Sequence, residues 1–163
     1  MRHINILLLI VSIITLSACA KAGQEVAEEL GIIPSTCGSD GARVQAEVDG
    51  SSFCGDAQII AMSDGHSATV SGIALLGNTL SLQLDTLGVG TYTISEADNA
   101  VLYLSGGTPY TTDSDSAGSV IITGHDGAAH RLKATFQARV RNEMSGSSKA
   151  ISGSLDVTYS VNP

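Results

Sequence analysis

The densest run of chemistry-bearing side chains lies near the C-terminal end. Arg131, Lys133, Arg139 and Arg141 take odd positions of a stretch whose even positions are Leu132, Ala134, Phe136, Ala138 and Val140. On a strand, alternate side chains leave opposite faces, so the four cations would share one ridge about 33 Å long. Guanidinium forks suit phosphate and carboxylate oxygens. The ridge is therefore a candidate binding surface for an anionic glycan, a lipid phosphate or an acidic protein surface, with Arg139 and Arg141 as its strongest contacts. The competing expectation, which weighs more, is that acids such as Glu47 and Asp49 neutralise the cations across the sheet.

Imidazoles and carboxylates cluster at two turns. His125, Asp126 and His130 flank Gly127, and Asp64 and His66 flank Gly65. If the turns met at one end of a sheet, His66, His125, Asp126 and His130 could serve a metal-dependent hydrolase, which is the alternative function. Asp and His beside Gly are also ordinary turn residues, so no metal and no cofactor is assigned. Asp113-Ser114-Asp115-Ser116 begins like a calcium loop, but Ala117 and Gly124 stand where oxygen ligands belong. There is no G-x-S-x-G elbow, H-E-x-x-H pair or phosphate-cradling loop. No catalytic residue is assigned, and a non-enzyme is expected.

The cysteines point to export. Arg2 and His3 precede an apolar run from Ile4 to Leu16, too short to span a bilayer as a helix, and Leu16-Ser17-Ala18 leads into Cys19. This resembles the lipobox of bacterial lipoproteins, which are cleaved before a lipidated cysteine, and the resemblance implies lipidation of Cys19 with signal peptide 1–18. Ala20 is not the aspartate associated with inner-membrane retention, so the implied location is the cell envelope, outer membrane favoured. Diacylglycerol plus an N-acyl chain would anchor the chain stably. Cys37 and Cys54 then remain as an even pair in an oxidising compartment, and a Cys37–Cys54 disulfide is expected, worth about 3 kcal/mol on the chain-entropy model.

These residues need elements to hold them. Within 163 residues, 43% are hydrophobic, 15% charged and 4% aromatic, which allows one compact core. The net charge of -8 argues against a nucleic-acid partner. Residues 19–129 carry two cations against fourteen acids, while 130–163 carry five cations against two acids. Residues 19–42 read as the lipidated cysteine and a tether with one short helix over Gln24–Leu30. From Arg43 onward the period is two: Val44, Ala46 and Val48; Leu80, Leu82 and Leu84; and Ile151 through Val161 as one long strand. Turn signals at Gly77-Asn78, Asp126-Gly127 and Ser145–Ser148 join hairpins. The expected fold over 43–163 is all-β, an antiparallel sandwich of eight or nine strands, with a small barrel as the alternative. Inward Ala68, Gly72, Ala74, Ala134 and Ala138 predict a thin core. Were the Ser- and Thr-faced final strand at an edge, it would offer a self-association surface.

Four segments follow one another along the chain: Ala46–Phe53, Gly90–Ile94, Gly118–Thr123 and Ala150–Val157. In that order they resemble a family of small secreted bacterial lipoproteins of unknown function with an A-x-V-D-G-x-x-F opening. The resemblance covers most of residues 43–161 and implies an all-β domain with no assigned reaction. Lys133-Ala134-Thr135-Phe136 departs from the family's Gly-Thr-Phe, and the Cys37–Cys54 pair is not a feature associated with it.

Overall fold

Alternating Val, Leu, Ile and Thr with polar residues drives this chain into strands, because branched side chains pack well on a pleated, half-buried surface. The computed structural model describes residues 37, 42–113 and 118–161. Cys19, the signal segment and the expected helix over Gln24–Leu30 lie outside the described residues. Twelve strands form: β1 (Arg43–Val48), β2 (Ser51–Cys54), β3 (Gln58–Ser63), β4 (Ala68–Ile73), β5 (Thr79–Leu84), β6 (Gly90–Ile94), β7 (Val101–Ser105), β8 (Thr108–Thr111), β9 (Gly118–Asp126), β10 (Arg131–Arg141), β11 (Ser148–Thr158) and β12 (Ser160–Val161). The expected eight or nine grow to twelve because runs as short as β2, β8 and β12 pair as well.

The ladder runs β12-β3-β4-β5-β7-β8-β10-β11-β1-β2, with β9 on β10 and β6 outside β9. It divides into two halves of six strands, β12-β3-β4-β5-β7-β8 and β6-β9-β10-β11-β1-β2, joined among the described residues at a single pair, Arg141 with Thr111. The sheet is open, with β12 and β2 at its ends, so the barrel alternative is set aside and the all-β, sandwich-compatible architecture stands. The two halves share one core that includes Val44, Val70, Leu80, Leu82, Ile122, Leu132, Val140 and Val157. Phe53 of β2 meets Tyr103 of β7 edge to face, with centroids 6.1 Å apart. Close approach needs small residues: a Cβ on Gly72 of β4 would sit 3.0 Å from the Val44 side chain of β1. Ala68, Gly72, Ala134 and Ala138 are buried as expected, and Ala74 is partly so.

The expected final strand is two strands, of which only the two-residue β12 lies at an edge. β11 lies between β10 and β1, and at Tyr159 the chain leaves for the other half, where Ser160 and Val161 pair in parallel with Met62 and Ser63. Its Ser- and Thr-rich face therefore offers no free ladder for self-association. The chain between β1 and β2 turns through Asp49 and Gly50 at φ of 50° and 80°, the left-handed pair that an Asp-Gly hairpin turn requires.

Candidate binding face

β10 alternates without exception between exposed and buried positions, so all four cations lie on its outer face. The structure places them as two pairs at the ends of the strand. At the first end, Arg131 grips Asp156 of β11 with two bonds, Nε at 2.7 Å and Nη2 at 2.9 Å, and Lys133 Nζ reaches the same carboxylate at 3.0 Å. At the other end, Arg141 stands 3.9 Å from Asp113, and Arg139 donates one long bond of 3.4 Å to Ser148 Oγ. Lys149 adds a fifth cation near that end but from the opposite face, in register with buried Val140, 3.2 Å from Asp49 and over the Tyr110 ring.

Cross-strand neutralisation is thus real, but its partners differ from those expected. β11 separates β1 from β10, and Glu47 shares the row of Ser152 and Gln137 rather than facing a cation. Asp156 does the pairing, directly opposite Lys133 in register. Its carboxyl is held below the usual carboxylate range, chiefly by the bonds from Arg131 and opposed by partial burial. Asp49 is likewise held down, chiefly by the Ala150 N–H, with Lys149 and the field of Arg139 adding to it.

Between the charged ends lies a flat polar floor. One row runs Ser52, Glu47, Ser152, Gln137, Ser119 and Thr93 across β2, β1, β11, β10, β9 and β6. A groove of about 610 Å³ opens over it, lined by Glu47, Asp49, Ser119, Gln137, Arg139 and Ser152 among others. Glu47 is exposed there and makes no hydrogen bond or ion pair among the described residues. The groove thus presents a carboxylate acceptor, a guanidinium donor, an amide and hydroxyls on one rigid surface, the donor and acceptor mixture that a hydroxyl-rich, partly anionic ligand requires. Sequence patterns do not single out Glu47 and Gln137 as groove residues. Their shared row depends on the β1–β11–β10 register, and no local pattern encodes it.

The histidines do not converge on a metal. Among the described residues, no three His, Cys, Asp or Glu side chains come together to hold one. His125 and His130 gather instead on buried Tyr159: His125 Nε2 lies 2.7 Å from the Tyr159 hydroxyl, and the His130 ring stacks on it with centroids 5.4 Å apart. Asp126 accepts the backbone N–H groups of Ala128 and Ala129, closing its own turn, which holds its carboxyl below the usual range. Asp64 does the same with Ser67 and His66, and its pKa falls to about 2. These carboxylates are committed to turn geometry.

Cys37 and Cys54 form the expected disulfide. Cys37 is also fixed by its carbonyl, which accepts from Val44 N–H. The disulfide therefore ties the segment before the domain to the end of β2. No curated protein matches the chain at a significant level. The four segments whose order marks the sequence, Ala46–Phe53, Gly90–Ile94, Gly118–Thr123 and Ala150–Val157, all become strands or strand turns of this one sheet. On a match over residues 40–156, which takes in nearly the whole sheet, the chain belongs to the family described as a domain of unknown function, DUF6252.

Proposed function

We propose that this domain is a non-catalytic binding module of a lipid-anchored protein of the bacterial cell envelope, on the outer membrane by the residue after Cys19. Its ligand is an anionic glycan, held across the outer face of β10, β11 and β1. The observation that carries this reading is the groove beside Arg139, whose guanidinium keeps donors free after one long bond to Ser148, while Glu47 and Gln137 offer further partners. A carboxylate or sulfate on a sugar would engage Arg139 and Arg141, and hydroxyls would meet Ser119, Gln137 and Ser152. Arg131 and Lys133, which share Asp156, contribute to the long-range field more than to contact.

The test is an array of anionic glycans and lipids probed with the soluble chain from residue 20 onward, at low and raised salt. Binding that weakens with salt and is lost in the Arg139→Ser/Arg141→Ser variant, at unchanged melting temperature, supports the reading. A stable, folded protein that binds nothing on the array overturns it.

A further inference from the structure

The two longest uncharged stretches of the described domain meet at the corner where the chain enters it. Ser67–Leu84 and Asn99–Thr112 contain no Asp, Glu, Lys or Arg, and they form hairpins β4–β5 and β7–β8. The hairpins are neighbours, with β5 paired to β7 and the Asn78 side chain accepting from Gly106 N–H at the adjoining tips. Their outer faces near those tips carry Ile73, Leu104 and Pro109. The β4–β5 tip carries Leu75 and Leu76, 59% and 93% exposed. Short hairpin turns ordinarily carry Gly, Asn, Asp or Ser, whereas paired leucines there leave apolar surface in water without gaining any burial inside the domain. The turn is well defined: Ala74 N–H bonds the Asn78 carbonyl, and Gly77, at φ +81°, bonds back to the Ala74 carbonyl. The leucines are therefore held outward by the turn itself.

What lies beside this tip decides its occupant. Leu75 N–H donates to Asp56, two residues after Cys54, at 3.0 Å. Cys54 is bonded to Cys37, the nearest described residue to Cys19 in the chain. Seventeen residues lie between Cys19 and Cys37, a reach of at most about 60 Å when fully extended. The corner bearing the exposed leucines is thus the corner tied to the segment that leads to the anchor.

We propose that the Leu75–Leu76 tip is a lipid-contacting wedge, which seats this corner in the acyl boundary of the bilayer that holds the Cys19 lipid and fixes the domain's orientation. The inference rests on the lipid-anchor reading. With this corner down, the β10–β11 turn bearing Met144 faces away, because β1 starts beside the end of β11 and Met144 precedes the start of β11. Apolar side chains on a rigid tip partition at an interface without any anionic lipid, so zwitterionic membranes suffice.

The chain contains no Trp, so Leu76→Trp places a single indole reporter at a site exposed enough to accept it. The mature, full-length chain carrying it would be reconstituted in phosphatidylcholine vesicles with brominated acyl chains, and Met144→Trp, at a position 94% exposed, would serve as the comparison. The expected result is flotation with vesicles, a blue-shifted indole quenched by bromolipid at position 76, and a water-exposed, iodide-quenched indole at position 144. Flotation with both indoles open to iodide overturns the wedge and leaves the anchor standing. An indole at 76 shielded from iodide but untouched by bromolipid means that a second copy or another protein covers the tip, which also overturns it. Chain that stays out of the vesicle fraction overturns the anchor and the wedge together.

Discussion

Asp156 accepts bonds from two cations on the neighbouring strand, and its side chain is only 30% exposed. Since its carboxyl is held below the ordinary value, its stabilising contribution is complete above about pH 4 and is lost as pH falls through the lowered native value. Asp156→Asn should therefore cost about 0.5 kcal/mol at neutral pH, after allowance for solvent screening. Chemical denaturation of both proteins across the acid range would show the gap closing as Asp156 protonates. A gap that persisted in strong acid would assign the loss to packing rather than charge. Neutralising Asp156 also frees Arg131 and Lys133, so the same variant should bind anionic ligands more tightly at low salt.

At the level of single strands, β11 depends on one missing side chain. Gly153 faces inward between β10 and β1, and a Cβ there would overlap the Gln45 carbonyl and sit 2.7 Å from Phe136 Cζ and 2.8 Å from Ala46 Cβ. All three obstacles belong to neighbouring strands of the same ladder, and the two on β1, a carbonyl and a Cβ, cannot yield without breaking register. Gly153→Ala should destabilise the domain by about 3 kcal/mol, measured by denaturant unfolding, whereas Ser152→Ala on the outer face should change little. An unchanged midpoint for Gly153→Ala would mean that β11 can slide.

The same strands separate what the order of residues encodes locally from what it does not. β10 is fully legible in the sequence, because strict alternation of cations with Leu, Ala, Phe and Val has one half-buried solution. β11 is legible as a strand but not as one that ends at Thr158. Alternation continues through Tyr159 and Val161, while the departure at Tyr159 is set by non-local contacts with His125 and His130. The ion-pair partners are hidden for the same reason: whether Asp156 or Glu47 faces a cation depends on which strand inserts between β1 and β10. The Asp49-Gly50 hairpin carries a local signal that the expected turns passed over.

Across the whole molecule, the Cys37–Cys54 bond joins residues 17 apart in the chain and holds Cys37 against the end of β2. Replacing both cysteines with Ser should cost about 3 kcal/mol by releasing the unfolded chain, seen as a lower melting temperature with an unchanged far-ultraviolet spectrum below it. Unaltered stability would show that the bond serves only to position the entry segment. That strand β1 pairs with β11 has a different consequence, one of timing. The centre of one half is built from the domain's first strand and nearly its last, so a chain still emerging from the ribosome holds β1 without its inner neighbour. Such long-range closure is slow and comes late. On the export reading proposed above, a polypeptide threaded through a membrane before it folds gains from this order of assembly, since the sheet cannot latch until nearly the whole chain has been delivered.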